Sequence, residues 1–257
     1  MTTQTCPLAE GEAGRLTGSV HSFDVSTGVD GPGTRFVAFL AGCPLRCQFC
    51  HSPDTWFRRS GKRTTVDELM RQIRSYEGFI RMAGGGVTLS GGEALMQPAF
   101  VKEVFRRCQE LGLHTALDTS GFYGTRADNE LLDLTDLVLL DIKSFDPQTY
   151  RRVTRTGDVE PTLRFARRLA ERGTPMWIRF VLVPGLTDDP DNVAGIAGFV
   201  ATLPTVQRVE VLPFHRLGEH KYTDLGITFP LRDTEPPTAE LVDRVRDQFR
   251  GYGLTVY

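Results

Sequence analysis

Long apolar runs are missing from this sequence. Nowhere do the roughly 20 consecutive apolar residues of a membrane-spanning helix occur, and residues 1–15 lack the basic and then apolar pattern of a secretory leader. A cytoplasmic protein without membrane association is expected. A charge surplus is missing too: 30 Lys and Arg stand against 32 Asp and Glu, a formal net charge of −2. That balance removes the global basic excess on which nucleic-acid or anionic-membrane binding draws. Local basic clusters at Arg151, Arg152 and Arg155 and from Arg164 to Arg168 read as solvated helix faces. Cysteine is scarce, with five in 257 residues, and three of these fall between positions 43 and 50. Such crowding is unsuited to a disulfide framework and fits a reducing compartment.

What is present is the composition of a globular protein, 40% hydrophobic and 24% charged. Residues 1–16 are polar and aperiodic and are expected to form a mobile tail, with residues 17–257 as one domain. Apolar, β-branched runs at Arg35–Leu40, Val87–Ser90, Thr115–Asp118, Leu137–Ile142, Trp177–Val183 and Arg208–Leu212 read as six strands. They are too uniformly apolar for a sheet with one wet face, which points to parallel strands covered on both sides. Between them lie helical periodicities. Val66, Leu69, Met70, Ile73 and Tyr76 follow a capping box at Thr65 and Glu68, and Phe100, Val101, Val104, Phe105, Cys108 and Leu111 form an apolar stripe. Further helices are expected over Asn129–Leu134, Thr162–Arg172, Asn192–Leu203 and Thr238–Arg250, with a short edge strand at Leu254–Tyr257. Alternating strands and helices without a linker make a single α/β domain, an open doubly wound sheet or a partial barrel.

Directly after the first strand comes Gly42-Cys43-Pro44-Leu45-Arg46-Cys47-Gln48-Phe49-Cys50-His51. The thiols therefore sit on a loop at a strand's C-terminal end, the face where α/β proteins place their sites. Three soft thiolates in a C-x3-C-x2-C array suit an iron–sulfur cluster, and three ligands leave one iron open. A structural zinc site needs a fourth protein ligand. The adjacent His51 would struggle to reach the same ion, Cys108 belongs to a helix stripe, and Cys6 lies in the tail. Asp118, Asp141 and Lys143 fall at strand ends on the same face, if the strands are parallel.

The cysteine loop, with Phe49 before its last cysteine, resembles the radical S-adenosylmethionine (SAM) superfamily, and Gly91-Gly92-Glu93 matches that superfamily's second motif. From His21 onward the chain resembles the pyruvate formate-lyase-activating enzymes. The carrying segments include His21-Ser22-Phe23, Val29-Asp30-Gly31-Pro32-Gly33, Gly84-Gly85-Gly86-Val87-Thr88, Leu140-Asp141-Ile142-Lys143, Val183-Pro184-Gly185 and Leu212-Pro213-Phe214-His215. No cysteine occurs between Cys50 and Val87, so the ferredoxin-like insertion of several related activases is absent, and activases of anaerobic ribonucleotide reductase tend to be shorter.

The resemblance implies a partial (β/α)6 TIM-like barrel of the radical SAM type, with a lateral opening and a [4Fe-4S] cluster on Cys43, Cys47 and Cys50. SAM would chelate the open iron and be cleaved reductively, and the resulting 5′-deoxyadenosyl radical would take a hydrogen from a glycine of pyruvate formate-lyase. It implies SAM contacts at Phe49, Gly91, Gly92, Glu93, Asp118, Asp141, Lys143, Arg179 and His215. Of these, Gly91 and Gly92 would admit the methionyl group, Glu93 and Asp118 would face the amino group, and Lys143 the carboxylate. Asp118, Thr119, Leu139 (through its carbonyl) and Asp141 match the ligands of a monovalent cation, Na+ or K+. Asp30 matches a position facing the partner's glycyl loop. A flavodoxin or ferredoxin would supply the electron, and the activase would be a monomer. The dipeptide Gly251-Tyr252, similar to a glycyl-radical site, reads as a helix C-cap.

Overall fold

The computed structural model describes residues 14–257. Six strands run parallel: β2 (Thr34–Leu40), β4 (Gly86–Gly91), β5 (His114–Thr119), β6 (Leu137–Asp141), β7 (Met176–Leu182) and β8 (Val206–Pro213). Two further strands, β1 (Thr17–Thr27) and β3 (Lys62–Thr65), extend the sheet antiparallel at one side, giving the order β3-β1-β2-β4-β5-β6-β7-β8. The parallel strands follow one another in chain order without reversal. A doubly wound sheet reverses at a switch point, so this is the singly wound, partial-barrel solution. The Leu254–Tyr257 segment reaches β8 through a parallel bridge between Val209 and Val256.

Helices α1 (Val66–Met82), α2 (Pro98–Glu110), α3 (Asn129–Asp133), α5 (Glu160–Glu171), α6 (Pro190–Ala201) and α8 (Ala239–Arg250) cover the outer face, while the short α4 (Pro147–Thr154) and α7 (Glu219–Asp224) pack beside residues 43–50. Side chains alternate across each strand. Phe36, Leu40, Leu89, Leu140, Phe180 and Val211 turn outward into the main core with Ile73, Val104, Phe165, Ile196 and Phe249 of the helices. The alternate residues turn inward, where Ala116, Leu137, Leu139 and Trp177 fill the floor of the barrel and more polar residues lie above them.

Strands and helices stand where periodicity places them, to within a residue or two except that α1 runs on to Met82, past the Tyr76 end of its apolar stripe, whereas β1, β3, α4 and α7 carry too little apolar pattern to be read. The expected tail is also too long. Residues 1–13, Cys6 among them, lie outside the described residues, but Gly14 and Leu16 accept hydrogen bonds from Asp67 and Val66, and Leu16 packs on the core. Gly251 is the C-cap of α8, as read.

At the start of α1 the capping box is complete. Thr65 Oγ1 accepts from the Glu68 amide at 3.1 Å and Glu68 Oε2 accepts from the Thr65 amide at 2.7 Å. Thr65→Ala is expected to lower unfolding stability by about 1 kcal/mol, read as a lower urea midpoint at unchanged slope. A change in slope would show a different kind of defect.

Candidate functional site

Inside the arc, at the C-terminal ends of the parallel strands, lies a cavity of about 470 Å³. Its lining draws on both ends of the arc, Phe39 of β2 and Leu212 of β8, so the sheet curls around it. One wall is the cysteine loop. Cys43, Leu45, Cys47 and Phe49 line the cavity, while Arg46 and Gln48 point the other way. The loop is held from behind: the Arg46 and Gln48 amides donate to the carbonyls of Thr154 and Val153 at the end of α4, at 2.8 and 2.9 Å. The Arg46 guanidinium caps the carbonyls of Cys43 and Leu45. From the other side Tyr222 of α7 donates its hydroxyl to the Cys50 carbonyl at 3.0 Å.

All three thiols are free of disulfides. Burial, with the neighbouring Cys47 and Glu93, pushes Cys43 up strongly, burial pushes Cys50 up against the opposing Lys143 charge, and burial pushes Cys47 up to about 12. Without metal these thiols hold their protons at neutral pH, and iron would take the protons' place. The donor set fits a cluster better than a single ion. Among the described residues no three His, Cys, Asp or Glu side chains converge on one point suited to an ion, and Cys108, fully buried in the main core, is no fourth ligand. His51 instead stacks on His215, ring centroids 4.0 Å apart, at the cavity wall.

Gly91 and Gly92 line the cavity. Their lack of a side chain is required chiefly by the protein itself. Gly91 has φ +115°, and a Cβ at Gly92 would stand 2.4 Å from the Gly42 carbonyl oxygen. The second motif is thus pressed against the root of the cysteine loop, where the Gly92 and Glu93 amides also donate to the Leu40 and Gly42 carbonyls.

Glu93, expected to face the SAM amino group, is placed differently from Asp118 and Asp141, which line the cavity. It is 1% exposed and does not line the cavity. Its Oε1 accepts from the Leu95 amide (3.0 Å) and Thr119 Oγ1 (2.6 Å), and its Oε2 from the Ser120 amide (3.0 Å) and Ser120 Oγ (2.5 Å). Both oxygens are spent on tying the end of β4 to the end of β5.

Opposite the thiols lies a charged wall. Asp141 pairs with Lys143 at 2.6 Å, and Lys143 Nζ stands 5.4 Å from the Phe49 ring centre. Burial opposes the Lys143 charge, but Asp141 and Cys47 prevail and raise its pKa. Asp118 accepts from Ser90 Oγ at 2.5 Å and faces Arg179 at 3.4 Å. Burial, which outweighs Arg179, and the neighbouring Asp141 charge push it up to about 6. Asp30 comes within 4.0 Å of Arg179 across the cavity. At neutral pH, Asp30, Asp118 and Asp141 outnumber Lys143 and Arg179 in the lining.

Of the expected cation ligands, Asp118, Thr119 and Asp141 line the cavity, whereas the Leu139 side chain is buried in the floor. The Thr119 hydroxyl already donates to Glu93 and accepts from the Gly121 amide. Two features escaped the sequence. Glu210 braces Arg179 Nε from below at 3.6 Å and also pairs with Arg208, an interior ladder visible only once β7 and β8 are in register. The α4 and α7 contacts, 104 to 172 residues from the loop they hold, leave no local pattern.

The sequence profile of the radical SAM superfamily matches residues 37–195. The pyruvate formate-lyase 1-activating enzyme of Escherichia coli K12 is 42% identical over 244 residues, covering 94% of this chain and 98% of the relative. Among solved structures, a domain of a pyruvate formate-lyase-activating enzyme from Bacteroides vulgatus superposes with a TM-score of 0.55 at 28% identity, over 68% of this chain and 98% of that one. A radical SAM methyltransferase from Sphaerobacter thermophilus, TM-score 0.62 at 17% identity over 91% of this chain and 71% of that one, shares the fold.

Proposed function

The chain belongs to the radical SAM superfamily, among the pyruvate formate-lyase-activating enzymes, and on that premise we propose that it installs a glycyl radical in a pyruvate formate-lyase. The carrying observation is the cavity with three free thiols on one wall and a charged pair of strand ends on the other. When bound, a [4Fe-4S] cluster held by Cys43, Cys47 and Cys50 would supply the one electron that reductive cleavage of SAM to methionine and a 5′-deoxyadenosyl radical requires, the hydrogen then coming from the partner's glycine.

The chain's own residues bind, orient and shield. Cys43, Cys47 and Cys50 hold the cluster, each presented by a loop whose backbone is fixed from α4 and α7. SAM carries a net positive charge, and the carboxylate surplus of the cavity suits it. Asp118 and Asp141 face its ammonium, and Lys143, kept cationic by Asp141, meets its carboxylate. Gly91 and Gly92 offer backbone along the methionyl chain, Phe49 closes the cluster side, and Arg179 and the His51–His215 stack bound the remainder. Glu93 acts one step away, fixing the Gly92 and Ser120 backbones. A sodium or potassium ion bound by Asp118 and Asp141, with the Thr119 oxygen and the Leu139 carbonyl as further ligands, would offset both the burial and the Asp141 repulsion that raise Asp118. Asp30, on the turn before β2, meets the partner's glycyl loop at the mouth. A flavodoxin or ferredoxin supplies the electron. The protein works as a cytoplasmic monomer, in keeping with its free thiols and with described helices too short or too polar to cross a membrane.

Anaerobic incubation of the reconstituted protein with SAM, a reductant and a pyruvate formate-lyase is expected to give the paramagnetic resonance doublet of a glycyl radical. SAM cleavage without a doublet would sink the partner assignment and leave the SAM chemistry standing.

A further inference from the structure

The basic residues that read as an ordinary helix face, Arg151, Arg152 and Arg155, do not stand alone in the fold. The α4 C-terminus that carries them is the element bonded to the back of the cysteine loop, through Arg46, Gln48 and the Gln48 side chain on the Arg152 carbonyl. On the other flank of that loop, residues 44–63 hold Arg46, Arg58, Arg59, Lys62 and Arg63 against a single acid, Asp54, which is already engaged by Lys221 and His21. Arg46 joins the two flanks into one basic collar, its amide bonded to the Thr154 carbonyl and its guanidinium 5.2 Å from the Phe57 ring centre. None of the collar's eight cations makes an ion pair with any described residue, whereas Lys102, Arg107 and Arg172 are each neutralised by carboxylates. In the middle of the collar the exposed Phe57 ring lies between the Arg46 and Arg59 guanidinium groups, at 5.2 and 4.7 Å. Aromatic and arginine side chains together are the usual energetic centre of a protein interface.

Position relative to the thiols gives the collar its meaning. The loop has two sides: Cys43, Cys47 and Phe49 line the cavity, and Arg46 and Gln48 face away toward the collar. One layer of chain therefore separates the two. The partner's glycyl loop and SAM need the cavity side, which leaves the collar as a route for electrons that blocks neither.

We propose that the collar of Arg58, Arg59, Lys62, Arg151 and Arg155, centred on Phe57, is the docking surface of an acidic one-electron carrier protein. One electron leaves the reduced carrier, which is oxidised by one unit, and enters the iron–sulfur cluster through the loop of Cys43 to Cys50. The inference rests on the cluster reading above and names the face at which the donor binds. Unpaired cations opposite an acidic partner accelerate encounter and make it sensitive to salt.

The test uses the reconstituted holoenzyme, an acidic flavodoxin and an acidic ferredoxin as probes, and calorimetric affinity as the first readout. The variants R58E/R59E and R151E/R155E are expected to weaken carrier binding at low ionic strength by about tenfold or more and to flatten its salt dependence. SAM cleavage driven by the reduced carrier should fall in parallel, while cleavage driven by dithionite is retained. R71E/R74E, two exposed positions on α1, makes the same change in net charge and should leave both unchanged. The proposal is overturned if neither probe binds the wild type at low salt, if the collar variants bind within about twofold of wild type, or if the α1 control weakens binding equally. Iron content and the dithionite rate identify a misfolded variant, in which case R58Q/R59Q carries the same test. Failure of the glycyl-radical reading looks different, since carrier binding and SAM cleavage would persist without a doublet.

Discussion

Cys47→Ala, like Cys43→Ala and Cys50→Ala, is expected to yield a folded protein that holds no [4Fe-4S] cluster and cleaves no SAM. The loop offers three thiols and the surroundings no substitute. Among the described residues no other Cys, His, Asp or Glu joins them in a group suited to an ion, so a lost thiolate cannot be replaced from within. Changes in the outer shell of a metal site typically cost about 10- to 100-fold, and removal of a ligand should exceed that, leaving 5′-deoxyadenosine formation at the background of the apoprotein. The fold survives because the loop is fixed by its backbone bonds to Val153, Thr154 and Thr55, none of which needs the thiol. Cys108→Ala is the matching control: a buried thiol on α2, packed in the main core, whose loss should cost about 1–2 kcal/mol of stability with iron content and SAM cleavage unchanged. Iron analysis, the visible absorption of the reconstituted protein and SAM cleavage decide the matter. A Cys47→Ala protein with a full cluster and the wild-type rate would remove that residue from the ligand set.

The contrast between these cysteines also shows what the sequence can carry. Cys108 was recognisable as core because it recurs with Val101, Val104 and Phe105 at helical spacing, a signal made by neighbours in the chain. The six parallel strands were legible for a similar reason, since burial on both faces writes an uninterrupted apolar run. Strand β3, Lys62–Thr65, has no apolar residue, and β1 has only two buried positions, so what makes them strands is pairing with β2 and with each other, which local composition does not record. Helix α4 is eight residues long with Tyr150 and Val153 as its only large apolar side chains, too short for a periodicity to declare itself. The same limit applies to the site. Charges at strand ends were predictable because parallel strands share one C-terminal edge, but whether such a charge faces the cavity or the neighbouring strand depends on a turn of the chain. Asp118 and Asp141 face in. Glu93, one residue beyond its glycine pair, faces the end of β5.

For that reason Glu93→Gln is expected to act through structure first and binding second. The carboxylate receives four hydrogen bonds, two from amides and two from hydroxyls, in a site 1% exposed. Every neighbour of its two oxygens is a donor. An amide in its place must turn its NH2 group toward one pair of those donors, which removes two charge-assisted bonds and sets N–H groups against an amide N–H or a hydroxyl. Leaving buried groups unsatisfied in this way costs about 2–4 kcal/mol, so a lowered urea midpoint is expected, together with a raised KM for SAM, because Gly91, Gly92 and Ser120 line the cavity that the brace holds in shape. A glutamate that contacted SAM directly would raise KM and leave stability of the SAM-free protein untouched, so the two roles part on a measurement made without SAM. Ser120→Ala removes the shortest of the four bonds. If Glu93 and Ser120 act as one brace, the double variant Glu93→Gln with Ser120→Ala should be less destabilised than the two singles added together, by about 0.5–3 kcal/mol. Strict additivity of the two, or an unchanged urea midpoint in Glu93→Gln, would return Glu93 to the cavity.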